Sequence, residues 1–202
     1  MRQSSVSLVE INAVRPSRLG RLWAWCRDHA ILLAAVAFFS AMYWPFVHKG
    51  DEGEWRLTYL RAAERMQARQ TIHRLDEPSA YAYPPAMAMF AMPLAQLPLR
   101  WSLAIWYAIN VAAMVGAVVC AWRLVAGPPL LGLAGSWSHV YWLGLLLAGR
   151  FIVAPLENQQ FDVVIAACLF AGCLALSHGR DTQAAVWLGA ATAMKCTPLL
   201  FA

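Results

Sequence analysis

The chain has 202 residues, of which 60% are hydrophobic and only 13% are charged, and its formal net charge is +5. A soluble domain carries about 25% charged residues, so this composition excludes an ordinary soluble protein and indicates a chain built for lipid. No basic segment combines with a soluble recognition fold, so we expect no nucleic-acid partner and assign the positive charge to orientation and contact with membrane lipids.

Residues 1–28 form a polar N-terminal tail, and residues 29–202 form the predicted membrane domain. Arginines cluster in the second half of the tail, which favours a cytoplasmic N-terminus. The apolar run from Ala30 to Val47 is long enough to cross the bilayer as a helix. A signal peptide is the competing interpretation, but the charged lead is long and no small-x-small cleavage site precedes His48. We therefore predict a retained anchor followed by an extracytoplasmic loop over residues 48–85.

The first half of this loop predicts an amphipathic helix over residues 51–70. Apolar side chains recur at spacings of three or four, and a row of arginines lies on another face. This pattern is typical of a helix along the membrane interface, with its aromatic stripe in the acyl boundary and its arginines at the headgroups. The stripe consists of Trp55, Tyr59, Ala63 and Met66, and the basic row of Arg61, Arg65 and Arg69.

Asp51 begins this segment and has two interpretations. The spacing Asp51-x-x-Glu54 suits an N-cap with an acid at the third helical position. A carboxylate directly after a membrane span is also where we expect chemistry. Spacing alone favours capping over catalysis. The two roles are compatible, because a cap would hold the carboxylate in place.

Apolar segments separated by short polar breaks follow the loop. Tyr83-Pro84-Pro85 closes the loop, since prolines suit the first turn of a helix. Residues 86–98 are short for a span, so they either cross with a kink or dip in and return. The fold class is therefore an all-α polytopic membrane bundle with five to six transmembrane segments. The other predicted spans are residues 101–122, 130–147, 161–176 and 184–202.

Two polar features beside these spans are functional candidates. The run from Glu157 to Asp162, Glu-Asn-Gln-Gln-Phe-Asp, is dense in hydrogen-bonding groups. Lys195 lies in an apolar run, where a cation is unfavourable unless it pairs, snorkels to the headgroups or faces an aqueous cavity. Snorkelling and a functional role are equally open for Lys195. The chain also stops inside an apolar segment, which indicates the front part of a longer protein.

Taken in order, these features resemble glycosyltransferase family 87, the membrane mannosyltransferase-like group of the GT-C superfamily. The family commonly shows Gly-Gln-x-Asn where this chain has Gln159-Gln160-Phe161-Asp162. Family members are also longer than this chain. The features that carry the resemblance are the acid after the first span, Tyr81-x-Tyr83-Pro84-Pro85, the glutamine-rich run, and Gly189-x5-Lys195-x-Thr197-Pro198.

The resemblance implies transfer of a hexose, expected to be mannose, from a polyprenyl-phosphate donor to a lipid or glycan hydroxyl, with inversion, outside the cytoplasm of a bacterial inner membrane. Asp51 would be the general base that takes the acceptor proton. Lys195 is the preferred cation for the departing phosphate. No metal or other cofactor is implied. The residues expected to bind the donor phosphate or the substrates are Lys195, Arg56, Arg61, Tyr81, Tyr83, Gln160 and Asp162.

The number of crossings decides whether these residues can meet. Three crossings between residues 86 and 147 would leave Gln160 in the cytoplasm, away from Asp51. Two crossings place Gln160 and Lys195 on the side of Asp51 and leave Arg180 cytoplasmic, as positive-inside orientation prefers. We favour two crossings, with 86–98 re-entrant.

A rival from another class is a non-catalytic polytopic protein, such as a transporter, lipid carrier or assembly partner, or an inactive fragment. Transporters often have paired broken helices in two repeated halves. The sequence shows no such symmetry.

Overall fold

The computed structural model of the chain describes residues 30–74, 80–125, 143–144 and 146–195. Over these residues the chain is helical and contains no β-strand, which confirms the predicted all-α class. A 3₁₀ turn at Gly50–Glu52 and a π-helix at Trp55–Leu60 lie between the first two α-helices. The α-helices are α1 (Ala30–His48), α2 (Arg61–Gln67), α3 (Pro85–Ala95), α4 (Leu99–Val125), α5 (Gly149–Glu157), α6 (Asp162–Ser177) and α7 (Asp181–Met194).

The chain divides into two units, Met1–Ser40 and Ala41–Ala202. The described part of the first unit is the beginning of α1, where the exposed large side chains include Leu33, Val36 and Phe38, and Phe38 packs edge to face on Phe39 with ring centroids 5.3 Å apart. The predicted tail, 1–28, lies outside the described residues. The second unit contains all of the residues discussed below.

Within the described residues, one helix is long and apolar enough to cross a membrane. This helix is α4, which contains the whole predicted span 101–122. Most of the predicted span 130–147 lies outside the described residues. The last predicted span corresponds to α7, which ends at Met194, so Lys195 follows the helix in an extended conformation. The shorter apolar helical stretches are Leu33–His48, Pro85–Ala95 and Asp162–Ser177.

Helix α3 is the segment that the sequence leaves open between crossing and returning. Pro84 precedes the helix and Pro85 occupies its first turn, as expected from the missing amide donors. The helix has 11 residues, and at 1.5 Å per residue it is about 16 Å long, roughly half of a hydrocarbon core. It is therefore too short to cross.

The segment predicted as one interfacial helix consists of three elements: the 3₁₀ turn, the π-helix and α2. The apolar residues predicted to share one face do share it, but the prediction that this face contacts lipid is wrong. Trp55, Tyr59 and Ala63 have no exposed surface, because they pack against protein and not against lipid. The predicted cap at Asp51 is also wrong, since neither the 3₁₀ turn nor the π-helix has a side-chain capping hydrogen bond.

An aromatic layer, Trp55, Tyr59, Phe90, Trp106 and Phe161, joins the loop to α3, α4 and the start of α6. Trp55 stacks on Trp106 with ring centroids 4.3 Å apart and an interplanar angle of 13°. Phe161 lies 4.7 Å from Trp106 and 5.3 Å from Phe90, measured between ring centroids. Such pairs stabilise a fold by about 0.5–1.5 kcal/mol beyond area burial. The layer therefore forms a rigid floor.

Candidate functional site

Two turns that lie far apart in the sequence meet over the aromatic layer. We call residues 49–54 the acidic turn and residues 158–162 the amide turn. The Nζ of Lys49 donates a hydrogen bond to Oδ1 of Asn158 at 2.7 Å. The Nε2 of Gln159 donates to the backbone oxygen of Phe46, at the end of α1, at 2.6 Å. The amide turn is thus held against the end of α1 and the beginning of the acidic turn.

The amide turn is sharp because α5 ends in a left-handed residue. Gln159 has φ +61°, and the amide nitrogen of Gln160 donates to the carbonyl of Pro155 at 2.8 Å. The indole Nε1 of Trp106 donates to the carbonyl of Gln159 at 3.0 Å. The floor therefore fixes the turn from below.

A cleft of about 520 Å³ opens between the two turns. Carboxylates, amides, a hydroxyl, a phenol and an ammonium line it, and such groups donate and accept hydrogen bonds together. This volume and polarity suit a ligand rich in hydroxyl groups. The polar lining residues are Lys49, Glu52, Glu54, Thr58, Tyr83, Asn158 and Gln160.

Glu54 accepts hydrogen bonds from two phenols on one wall of the cleft. The hydroxyl of Tyr83 donates to Oε1 of Glu54 at 3.1 Å, and that of Tyr59 donates to the same oxygen at 3.2 Å. Burial raises the pKa of Tyr83 to about 12, and the Glu54 charge adds to this shift. Burial and the Glu54 charge also raise the pKa of Tyr59. Both phenols therefore remain protonated donors.

Tyr81 has a different position from Tyr83. Its hydroxyl donates to the carbonyl of Pro84 at 2.6 Å and accepts from the amide nitrogen of Ala88 at 2.9 Å. Burial raises its pKa to about 12. Tyr81 therefore fixes the start of α3, and Tyr83 is the tyrosine that lines the cleft.

Lys195 and Asp162 form an ion pair, with Nζ and Oδ1 2.7 Å apart. Asp162 is the last residue of the amide turn, so the pair lies at the end of this turn, and neither residue is among those that line the cleft. The end of α7 is thus brought to the start of α6, next to the amide turn.

The remaining predicted site residues, Asp51, Arg56 and Arg61, are not among the residues that line the cleft. Asp51 is exposed in the acidic turn, directly before Glu52, and makes no hydrogen bond or ion pair with the part of the chain that the structure describes. Arg56 pairs with Glu64 of α2. Arg61 is half-buried at the start of α2.

Sequence reasoning gave no individual role to Lys49, Asn158 or Gln159, although the last two lie in the run named as a functional candidate, and it did not include Glu54 among the substrate-binding residues. Spacing contains no signal for Lys49 and Asn158, because their contact joins positions 109 residues apart. Among the described residues, no three His, Cys, Asp or Glu side chains form a group that could hold a metal ion.

The fold and the cleft define an all-α protein with a membrane-length helix and a polar ligand site. The model of glycosyltransferase family 87 matches residues 81–202, more than half of the chain, and the chain belongs to that family. This confirms the resemblance and identifies a glycosyltransferase that takes a sugar donor and an acceptor. The match covers Tyr83, the amide turn and Lys195 but begins after the acidic turn. No curated protein and no solved structure matches the chain.

Proposed function

We propose that the chain is a polytopic membrane glycosyltransferase that moves a hexose, mannose, from a polyprenyl-phosphate donor to a lipid or glycan hydroxyl, with inversion, on the extracytoplasmic face of a bacterial inner membrane. One observation carries the proposal: a polar cleft lies between the acidic turn and the amide turn, in a member of a glycosyltransferase family.

The contacts between the turns support the version with two crossings between residues 86 and 147. Helix α3 is too short to cross, and Lys49 contacts Asn158 on one side of the bundle. Helices α6 and α7 pack on each other and connect through Arg180, so α7 returns Lys195 to Asp162. Arg180 then lies at the opposite end, which is the cytoplasmic end in this arrangement.

Asp51 serves as the general base of the transfer. Its carboxylate takes the proton of the acceptor hydroxyl while the hydroxyl oxygen bonds to the anomeric carbon. The bond between this carbon and the phosphate oxygen breaks, and the electron pair leaves with the polyprenyl phosphate. Attack from the face opposite the phosphate inverts the anomeric carbon. Asp51 suits this role because its carboxylate is exposed and directly precedes Glu52, which lines the cleft.

Lys195 stabilises the charge that develops on the departing phosphate, since a cation there lowers the barrier. Asp162 holds its ammonium at the end of the amide turn. Arg56 and Arg61 are weaker candidates for the donor phosphate, because Arg56 is engaged by Glu64.

Two cleft residues contact the substrate directly in this proposal. Tyr83 and Gln160 hydrogen-bond the sugar or the acceptor, as both line the cleft. Tyr81 affects the cleft indirectly, because its hydroxyl fixes the start of α3, next to Tyr83.

The test is transfer of radiolabelled mannose from polyprenyl-phosphate mannose in membranes that carry the wild type, Asp51→Asn or Asp181→Asn. General-base catalysis contributes about 10²–10⁴-fold, so Asp51→Asn should lose activity by that factor. Asp181→Asn, an exposed acid at the start of α7, is the matched control. Equal transfer by Asp51→Asn would remove Asp51 from the mechanism. No transfer by inserted wild type would favour the non-catalytic alternative.

A further inference from the structure

Gly53 lies directly against the side-chain amide of Gln159. A Cβ at position 53 would lie 1.9 Å from Oε1, 2.4 Å from Cδ and 2.6 Å from Nε2 of Gln159. Gly53 has φ −72° and ψ 151°, an ordinary extended conformation. The position therefore needs glycine for space and not for backbone freedom.

The Gln159 amide cannot easily move out of the way. The residue has no exposed surface, and its Nε2 donates to the carbonyl of Phe46 at 2.6 Å. Its own carbonyl is fixed by Trp106 at 3.0 Å. The side chain is thus attached to the end of α1, and the backbone of the same residue to α4, while the side chain contacts the acidic turn.

The contact is made by a buried polar atom. Oε1 of Gln159 accepts no hydrogen bond from the described residues. It faces the position that a Cβ of Gly53 would occupy, so a Cα hydrogen of the glycine points at this oxygen. Such Cα–H···O contacts are weakly favourable. A buried amide oxygen placed against a single Cα is a specific arrangement that a larger residue would destroy.

We propose that Gln159 is a positioning residue for the acidic turn, acting through Gly53. Gly53 lies between Glu52 and Glu54 and two residues after Asp51, so a displacement at this point moves all three carboxylates. The catalytic consequence rests on the proposed transfer, because a shift of about 1 Å in a reacting group lowers the rate by about 100-fold. The geometric claim concerns the turn alone.

The activity test compares four variants. Gly53→Ala should lower kcat by about 100-fold with KM nearly unchanged, because the turn is displaced while the cleft remains. Gln159→Gly suits the left-handed backbone at 159 but removes the amide that holds the turn, so it should lower kcat as well. The double variant should lose no more than the larger of the two single losses, because both substitutions act on one contact. The matched control is Gly116→Ala in α4, where an added Cβ meets nothing within 4 Å.

A second readout needs no activity. A cysteine introduced as Glu52→Cys is labelled with a membrane-impermeant maleimide, above the background of the native cysteines. Adding Gly53→Ala or Gln159→Gly should each raise the labelling rate several-fold, and adding both should raise it little further.

The outcomes separate the two proposals. An unchanged labelling rate in either single variant, or losses of kcat that add in the double variant, would overturn the positioning role. If the variants are labelled as expected but the wild-type protein transfers no sugar, the geometric claim is supported and the proposed function is contradicted.

Discussion

The aromatic layer and the rim of the cleft lie next to each other, yet they are held in different ways. In the layer, Trp55, Trp106 and Phe161 are almost fully buried and contact one another ring to ring. At the rim, Lys49 and Tyr83 are partly exposed, and hydrogen bonds to Asn158 and Glu54, respectively, hold their side chains. Side-chain packing fixes the aromatic layer, whereas hydrogen bonds hold the polar side chains at the rim of the cleft.

This difference predicts that the aromatic layer determines stability and that the rim of the cleft determines transfer. Removing a buried tryptophan costs about 3–5 kcal/mol, whereas a typical hydrogen bond contributes about 1 kcal/mol and an exposed ion pair less than that. A substitution in the layer should therefore unfold the site. A substitution at the rim should change transfer while the fold persists, which is the arrangement expected when working side chains stand on rigid elements.

The largest expected effect is that of Trp106→Ala. It removes the ring stacked on Trp55 and the indole that holds the carbonyl of Gln159, so we expect a loss of about 3–5 kcal/mol of unfolding free energy. Trp101→Ala, on the same helix but 56% exposed, is the control and should change stability by about 0.5 kcal/mol or less. Denaturation in detergent measures both. Equal losses would mean that the layer does not carry the stability assigned to it.

The layer shows how much of the fold the sequence could predict. The spacing of Trp55, Tyr59 and Ala63 correctly places them on one face. It could not tell whether lipid or protein covers that face, because both are apolar and the same residues suit either. The covering residues come from α3, α4 and α6, which follow much later in the chain.

The cleft shows the same limit more strongly. The chemistry of Tyr83, Gln160 and Lys195 marked them as candidates, and the structure brings them near the two turns. The contact of Lys49 with Asn158 could not be predicted, since no local pattern reports a pairing across 109 residues. Likewise, nothing in the sequence distinguishes Gly53, which contacts Gln159, from an open glycine such as Gly116.

Tyr83→Phe should have an intermediate effect at the rim. It removes the hydrogen bond to Glu54, so we expect a loss of about 1 kcal/mol at neutral pH. The pKa of Tyr83 is about 12 in the folded protein and 10.0 in its ordinary state, so the unfolded chain loses this proton first as the pH rises. The contribution of the phenol to stability is therefore present below pH 10.0 and falls between pH 10.0 and about 12.

Melting temperatures from pH 8 to about 12 measure this dependence, over the range set by linkage. Tyr83→Phe should reduce the alkaline fall, and so should Tyr81→Phe, because the Tyr81 pKa is also about 12. The exposed Tyr43 supplies the control variant, Tyr43→Phe. A wild type and a Tyr83→Phe variant with the same alkaline slope would contradict the raised pKa.

The smallest expected change in stability belongs to the pair of Lys195 and Asp162. Their side chains are 37% and 42% exposed, so solvent screens the attraction and the pair contributes about 1 kcal/mol or less. Lys195→Met should nevertheless reduce transfer strongly, because the departing phosphate loses its cation. Asp162→Asn leaves Lys195 in the protein but removes the carboxylate that holds its ammonium, so transfer should fall less.

The double variant tests what Asp162 does. If Asp162 acts only by holding Lys195, the double variant should transfer no less than Lys195→Met alone. Arg100→Gln, which removes an exposed cation over Trp101 at the start of α4, is the charge control and should leave transfer unchanged. Additive losses in the double variant would show that Asp162 has a separate role at the rim, and unchanged transfer in Lys195→Met would leave the phosphate without its proposed partner.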